Sequence, residues 1–179
     1  GLMILPPATL GVLGGGQLGR YFVLAARELG YHTLVLDPDP RSVAGAVADE
    51  HLVAAYDDLL ALARVAERCA AVTTEFESVP AAALARLERA LPVRPGSAAV
   101  AICQDRSTEK GFLRLHGLPH APYADILREE DCEHCAPALF PGILKVARCG
   151  YDGKGQARVA DRAGLRAAFR DFGASACVL

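Results

Sequence analysis

The stretch TLGVLGGGQLG at residues 9–19 decides the fold, because it joins a short apolar strand to a glycine-rich turn and then to a helix. Residues 14–19 fit the pattern G-x-G-x-x-G, and Asp37 ends the next apolar segment, close to where a dinucleotide fold places its ribose-binding acid. The glycines let the backbone approach a phosphate, and the helix start offers it N–H groups. The pattern fits a dinucleotide, the phosphate of a smaller metabolite, or a turn that binds nothing.

Working outward from this stretch, short apolar segments alternate with amphipathic ones through the first half of the chain. Strands are predicted at 9–13, 33–36, 51–54 and 71–74, and helices at 17–29, 57–69 and 80–90. Asp57 suits the N-cap of the second helix, and Pro80 suits the first turn of the third. Strands that alternate with helices predict a parallel, doubly wound, Rossmann-like sheet with right-handed crossovers.

The pattern changes after the Arg-Pro-Gly at residues 94–96. Helices are predicted at 97–102, at 105–115 and from 129, strands near 123, 145 and 159, a last helix at 163–172 and an apolar run at 176–179. We therefore expect a first domain at residues 1–103, a linking helix at 104–118 and a small α+β lobe at 119–179.

The composition is that of a folded α/β protein with little net charge. The chain has 179 residues, 52% of them hydrophobic, and a net charge of −2. This balance gives no support to a nucleic-acid or anionic-membrane surface, and no apolar run reaches the roughly 18 residues that a membrane span requires. No signal peptide is recognised before the first strand, so we expect a cytoplasmic protein with six reduced cysteines.

Two acidic residues follow the fourth predicted strand, at the edge where ligands of open α/β sheets gather. Glu75 and Glu77 stand two residues apart, so they would share a face if the chain stays extended. One of them could accept hydrogen bonds from a substrate amine or from sugar hydroxyls. The alternative is that both acids only favour the start of the next helix, where the helix dipole attracts negative charge.

A second glycine-rich stretch, GYDGKGQ at residues 150–156, follows the apolar run that contains Lys145. Its glycines can bring backbone N–H groups to an anion, and Lys154 places a cation inside the loop. The chain has three lysines against sixteen arginines, and two of the three lie here. This arrangement suits a flexible lid over nucleotide phosphates, although a hairpin with a solvated lysine fits the same residues.

Two further motifs are less specific. Arg106, in QDRSTEK at residues 104–110, has a guanidinium suited to a phosphate, but the residues around it also fit ordinary helix capping. The segment CEHC at residues 132–135 lacks a second pair of ligands at a suitable spacing, which favours an exposed polar helix over a zinc site.

Taken in order, these stretches resemble one enzyme family over essentially the whole chain. They are GGGQLGR at 14–20, VLD with prolines at 35–40, AYDD at 55–58, TTEFESVP at 73–80, QDR with EK at 104–110 and GYDGKGQ at 150–156. Together they are similar to the N5-carboxyaminoimidazole ribonucleotide synthetases, ATP-grasp enzymes of bacterial and fungal purine biosynthesis.

The resemblance implies ATP, Mg²⁺, bicarbonate and 5-aminoimidazole ribonucleotide as reactants. ATP would convert bicarbonate to carboxyphosphate, and the amine of the ribonucleotide would then take up the carboxyl group as a carbamate. The resemblance also implies a Rossmann-like pre-ATP-grasp domain followed by the first lobe of an ATP-grasp domain. It further implies a cytoplasmic, homodimeric enzyme of the ligase or lyase class, with no nucleic-acid or membrane partner.

Carried over by position, the resemblance assigns roles to the residues of each motif. Lys145 and Asp152 would be catalytic, and Glu75, with Glu77 less firmly, would bind the ribonucleotide. The ATP contacts would be Arg106, Lys145, Gly150, Tyr151, Asp152, Gly153, Lys154, Gly155 and Gln156. The remaining substrate contacts would be Gly16, Gln17, Leu18, Tyr151 and Asp152.

The chain departs from the family in length, because family members continue past the point that matches Leu179. The further part would supply the second ATP-grasp lobe, with adenine-side contacts and acidic Mg²⁺ ligands. We therefore expect no metal ligand in this chain, and we expect the 179-residue piece to be inactive alone.

Three other functions stay open. A formate-dependent glycinamide ribonucleotide transformylase has a similar layout, but GQLGR at 16–20 and the lid at 150–156 look more like the carboxylating family. An NAD-dependent dehydrogenase could use the first domain, although it has no need for the Lys145 strand and the lid. A non-catalytic binding module is the third.

Overall fold

A computed structural model describes residues 3–150 and 154–179. The chain divides into two compact units, Gly1–Ala101 and Ile102–Leu179, each with its own sheet. Among the helices in the described part, none has the length and apolar character needed to cross a bilayer.

The first unit is built on four parallel strands. The strands are β1 (Thr9–Leu13), β2 (His32–Leu36), β3 (Glu50–Leu52) and β4 (Ala71–Thr74). The helices are α1 (Gln17–Glu28), α2 (Leu59–Arg68), α3 (Ala81–Leu87) and α4 (Ser97–Cys103), with a short 3₁₀ helix at Gly45–Val47. The strand order is β3-β2-β1-β4, which confirms the predicted Rossmann-like sheet. Because β1 pairs with β4 in parallel, the loops that follow these two strands start side by side.

Apolar spacing explains why these elements form. Helix α1 buries Gly19, Val23 and Ala26, which recur every three or four residues and so share one face. Helix α2 is capped by Asp58, whose side chain accepts a hydrogen bond from the Ala61 N–H. The prediction of Asp57 as this cap was therefore wrong by one residue. Both aspartates are good caps, and the position of the buried face of α2 decides which one is used.

The second unit carries an antiparallel sheet. Its strands are β5 (Asp125–Ile126), β6 (Gly142–Val146), β7 (Gln156–Val159) and β8 (Cys177–Val178), in the order β5-β8-β6-β7. Its helices are α5 (Arg106–Leu115), α6 (Asp131–His134) and α7 (Arg162–Asp171), with a 3₁₀ helix at Pro137–Leu139. This confirms the predicted small α+β lobe. The polar helix predicted from residue 129 is only one turn long.

Alternation along β6 separates the two faces of this second sheet. Leu144 is fully buried in a core with Phe169 of α7, whereas its neighbour Lys145 is only partly buried. Because successive side chains of a strand point to opposite faces, Lys145 lies on the face away from that core. The cleft of the second unit, described below, lies on this face.

Candidate functional site

The glycine turn after β1 holds a carboxylate of the protein itself. Oε2 of Glu75 accepts hydrogen bonds from the N–H groups of Gly16, at 2.6 Å, and Gly19, at 3.1 Å. Glu75 follows β4 directly, and its own N–H donates to the Leu13 carbonyl at 2.9 Å, which fixes its position beside the turn. A negative charge at the start of α1 is favoured by the helix dipole. The carboxylate therefore satisfies two N–H groups at the start of α1.

The glycines of the turn are required by these close approaches. A methyl group at Gly19 would lie 2.5 Å from Oε2 of Glu75, and one at Gly16 would overlap Oε1 of the same side chain. Gly14 has φ of 111°, which L side chains rarely adopt. The G-x-G-x-x-G pattern is thus explained by contacts inside the protein.

Asp37 is enclosed by donors of the protein. Its Oδ2 accepts from the Gly15 N–H and the Tyr56 hydroxyl, both at 2.7 Å, and its Oδ1 accepts from the Asp39 N–H at 2.8 Å. Burial, the hydrogen bond to Asp37 and the charges of Asp37 and Glu75 raise the pKa of Tyr56 above its ordinary value. A carboxylate held in this way ties the turn to the end of β2 and is poorly placed to bind the ribose of a dinucleotide.

The outer edge of the same turn stays open. Gln17 and Leu18 are exposed, and their backbone N–H groups have no hydrogen-bond partner within residues 3–150 and 154–179. First-turn N–H groups have no acceptor inside their own helix, so these two are accessible to water or to a ligand. Glu77 is exposed, and β4 ends at Thr74 with bends and turns after it, so the extended backbone that would put Glu75 and Glu77 on one face does not form.

The second unit has a cleft of about 440 Å³ on the sheet face that carries Lys145. Helix α5 contributes Arg106, Glu109 and Lys110 to its wall, at the i, i+3 and i+4 spacing of one helix face. Apolar side chains from the loops and strands complete it, including Leu139, Ile143 and Val178. The cleft therefore combines a charged wall, which carries more cations than carboxylates, with an apolar one.

Arg106 is fixed by the backbone that leads toward the glycine-rich stretch. Its Nε donates to the Val146 carbonyl at 3.2 Å, and its Nη2 donates to the Gly150 carbonyl at 3.0 Å. Its backbone N–H donates to the Ala147 carbonyl at 2.9 Å. The two side-chain bonds hold the guanidinium at the cleft and leave other N–H groups of the fork for a ligand.

Lys145 belongs to a row of residues that crosses the sheet. It lies opposite Gln156 of β7 and Val178 of β8, and Val178 in turn lies opposite Asp125 of β5. Directly opposed residues share a face, so these four residues belong to the same face of the sheet as the cleft. The structure thus brings Arg106 and Lys145 to one cleft, with Gln156 next in the row.

The glycine-rich stretch is described only at its two ends. The Gly150 carbonyl accepts the hydrogen bond from Arg106, and Lys154 is exposed. Gly155 has φ of 68°, and its carbonyl accepts a hydrogen bond from the Val146 N–H at 2.8 Å. A methyl group at Gly155 would lie 2.5 Å from Val146 Cγ2, so glycine is required there. The predicted site residues Tyr151, Asp152 and Gly153 lie outside the described residues.

The CEHC segment is part of a core. Cys132 and Cys135 are buried in the cluster that contains Leu144 and Phe169, and burial raises the pKa of both thiols. Over residues 3–150 and 154–179, no group of three or more His, Cys, Asp or Glu side chains is placed to hold a metal ion.

A family model for the ribonucleotide synthetase preATP-grasp domain matches residues 7–104. The chain belongs to this family. The match covers the whole parallel sheet, the turn at the start of α1 and Glu75. The preATP-grasp domain therefore accounts for the first unit, and the resemblance read from the motifs is confirmed.

Known relatives extend the match into the second unit. An N5-carboxyaminoimidazole ribonucleotide synthase from Brucella melitensis is 46% identical over 87% of this chain and 43% of its own length. A solved ADP complex of such a synthetase is 40% identical, with a TM-score of 0.90 over 98% of this chain and 47% of its own. The enzyme from Aspergillus clavatus, solved with ADP and 5-aminoimidazole ribonucleotide, is 27% identical, with a TM-score of 0.83 over 96% and 45%. The preATP-grasp chain described here thus spans about half the length of these relatives.

Sequence reasoning missed most residues of the second-unit cleft, and two of them matter for the argument below. Lys110 and Tyr123 both line it, and neither was predicted as a site residue. The spacing of Arg106 and Lys110 on one helix was a usable signal for the first. No local pattern pointed to Tyr123, which reaches the cleft from a loop.

Proposed function

We propose that this chain forms the ribonucleotide-binding domain and the first nucleotide-binding lobe of an N5-carboxyaminoimidazole ribonucleotide synthetase. The observation that carries the proposal is the presence of Arg106 and Lys145, from a helix and a strand, in the wall of one cleft. Two cations in one cleft suit a polyphosphate, since each stabilises negative charge that shifts during phosphoryl transfer. The names of the relatives supply the substrate class.

The proposed reaction has two steps. An oxygen of bicarbonate attacks the γ-phosphorus of ATP, the bond to the ADP oxygen breaks, and carboxyphosphate forms. Arg106 and Lys145 balance the charge on the phosphoryl oxygens during this step. The ribonucleotide amine then attacks the carboxyl carbon, phosphate leaves, and the amine loses a proton as the carbamate forms. By resemblance, Tyr151 and Asp152 are assigned to the ribonucleotide and the carboxylated intermediate.

In the first unit, we assign the ribonucleotide phosphate to the open N–H groups of Gln17 and Leu18. This is supported by their exposure and by the absence of a partner within the described chain. Glu75 uses Oε2 for the turn, so Oε1 is the oxygen left for the ribonucleotide. Gly16 keeps the turn close to this carboxylate, and Glu77 extends the acidic edge.

By resemblance, the stretch at 150–156 is assigned to the ATP phosphates, with Lys154 and the N–H groups of its glycines as donors. The hydrogen bond from Arg106 to the Gly150 carbonyl supports this, because it places the start of the stretch beside a cation of the cleft. We further propose a cytoplasmic homodimer that uses Mg²⁺ and bicarbonate. The described residues offer no metal cluster, so no residue of this chain is assigned to Mg²⁺.

A chimaeric enzyme tests the whole proposal. Residues 1–179 would replace the matching part of the Brucella melitensis relative, and phosphate release and carboxylated product would be measured with ATP, bicarbonate and 5-aminoimidazole ribonucleotide. We expect both products in equal amounts. The unaltered relative is the positive control, and a chimaera with Lys145→Gln is the negative one. A folded chimaera that forms neither product would contradict the proposal.

Calorimetry on the 179-residue chain tests the first unit separately. We expect it to bind 5-aminoimidazole ribonucleotide and not NAD or NADP, because Asp37 is occupied by Gly15, Asp39 and Tyr56. Micromolar binding of NAD without a response to the ribonucleotide would favour the dehydrogenase alternative.

A further inference from the structure

Tyr123 reaches the second-unit cleft from the loop that precedes β5. It stands two residues before Asp125, so in extended backbone it shares the face that carries Val178 and Lys145. The backbone before β5 is extended, since Ala124 exchanges both backbone hydrogen bonds with Leu179, at 2.9 and 3.0 Å. The ring packs in a T-shaped pair with His120, with ring centres 5.5 Å apart, and lies under the Arg114 guanidinium, 5.7 Å from the ring centre.

The hydroxyl of Tyr123 is buried, and it has no hydrogen-bond partner in the described part of the chain. Buried hydroxyls in native proteins nearly always have a partner, because desolvation without one is unfavourable. Tyr123 is among the residues that line the cleft, so a molecule that enters the cleft and displaces the atoms covering the hydroxyl can supply that partner. An unpartnered donor at the wall of a cationic cleft points to an acceptor on a ligand.

Lys110 is a third cation on the same wall. It follows Arg106 by one helical turn, and no carboxylate lies within ion-pair distance of it among residues 3–150 and 154–179. The chain uses arginine at sixteen basic positions and lysine at three, and two of those three, Lys110 and Lys145, line this cleft. Lysine offers a compact, mobile point charge where arginine offers a rigid fork, so these positions suit phosphate oxygens that change place during transfer.

We propose that Lys110 and Tyr123 are further nucleotide-binding residues of the cleft, beyond Arg106 and Lys145. The Lys110 ammonium binds phosphate oxygens of ATP, and the Tyr123 hydroxyl donates a hydrogen bond to an oxygen of the same nucleotide. This inference rests on the proposed function, since it takes ATP as the molecule that fills the cleft.

The two variants that test it are Tyr123→Phe and Lys110→Met, made in the chimaeric enzyme described above. Ligand-detected NMR titrations with ATP, ADP and adenosine would give the dissociation constants. Tyr21→Phe, an exposed tyrosine of the first unit, and Arg158→Met, an exposed cation of β7 outside the cleft, are the matched controls.

We expect Tyr123→Phe to weaken ATP binding about 5-fold to 10-fold. It should also raise the melting temperature of the ligand-free protein by about 2 °C, because the unpartnered hydroxyl is gone. A tyrosine with only a structural role would not combine weaker ATP binding with a higher melting temperature when its hydroxyl is removed. Lys110→Met should weaken ATP binding about 10-fold and leave adenosine binding unchanged, because only the phosphates meet the ammonium.

The outcomes separate the two claims. A chimaera without these substitutions that binds ATP, beside variants that bind it equally well, would overturn this inference and leave the proposed function standing. A folded chimaera without these substitutions that does not bind ATP up to millimolar concentration would contradict both.

Discussion

The carboxylate of Glu75 lies 2.6 Å from the backbone nitrogen of Gly16, although 59 residues separate them in the chain. A glycine-rich turn at the start of a helix commonly receives the phosphate of a ligand. Here the carboxylate of Glu75 accepts hydrogen bonds from the two inner N–H groups, those of Gly16 and Gly19. These two N–H groups of the turn are therefore satisfied within the protein.

Replacing Glu75 tests this role of the carboxylate. We expect Glu75→Ala to lower the free energy of unfolding by about 2 kcal/mol, since two charge-assisted hydrogen bonds and a favourable interaction with α1 are lost. Urea denaturation would measure it. Glu77→Ala is the matched control, because Glu77 is exposed, and it should change stability by less than about 0.5 kcal/mol. Equal effects from the two variants would contradict the assignment.

Two glycine-to-alanine changes should have opposite signs. A methyl group at Gly15 would overlap Ser42 Oγ and lie 2.9 Å from Asp37 Cβ, so Gly15→Ala should destabilise the protein by ~2–3 kcal/mol. Gly111 lies inside α5 with nothing within 4 Å of an added methyl group, so Gly111→Ala should stabilise it by about 0.5–1 kcal/mol. Thermal unfolding of both variants would check the signs, and destabilisation by Gly111→Ala would show that α5 needs a glycine for another reason.

Lys145 should matter for chemistry much more than another cation of the same sheet. In the chimaeric enzyme, Lys145→Gln should lower kcat/KM at least about 30-fold, which corresponds to about 2 kcal/mol of lost transition-state stabilisation. Arg158→Gln, on β7 and outside the cleft, should lower it less than about twofold. Steady-state kinetics with ATP as the varied substrate would compare them, and similar losses would remove Lys145 from the phosphoryl-transfer site.

Stability should fall at alkaline pH through buried thiols. Burial raises the pKa of Cys69 from 9.0 to about 12 and that of Cys177 to about 11. A raised pKa in the folded state means that the stability is fully present below the unfolded value near 9 and is lost as the pH rises toward the folded values. We expect the free energy of unfolding to drop by about 1 kcal/mol per thiol between pH 7 and pH 10.

Urea denaturation with a reductant present would measure this decline. Cys69→Ala should start from a lower stability at pH 7 and show a shallower loss up to pH 10. A decline of unchanged steepness in that variant would assign the pH dependence to other groups.

The local patterns of the sequence predicted the parts of the fold that depend on neighbouring residues. The turn after β1 and the Lys145 strand are encoded within a few positions, and both were found. The partner of Glu75 was not predictable, because the contact with Gly16 depends on β1 and β4 being adjacent. The partners of Asp37 were not predictable either. Its position in the sequence fits a ribose-binding acid, and only the structure shows that Tyr56 and Gly15 donate hydrogen bonds to its carboxylate.

The cleft shows the same limit of sequence-based prediction, for residues that lie farther apart in the chain. Arg106 and Lys145 could be named from motifs that resemble a known family. Tyr123 carries no motif, and it enters the wall only because the segment before β5 pairs with Leu179. Side chains that meet through long-range pairing leave no periodic signal in the sequence.

Lys145 also constrains how its own strand can pair. If β6 slipped by one residue against β7 and β8, Leu144 would leave the core and Lys145 would enter it, beside Phe169. Placing an unpaired ammonium in such a core costs several kcal/mol, so the misaligned sheet is strongly disfavoured. An apolar replacement at position 145 would remove this penalty along with the charge and so weaken the preference for one alignment. A polar, uncharged replacement such as glutamine keeps the strand in one alignment, and it therefore separates the chemistry of this lysine from its part in specifying the sheet.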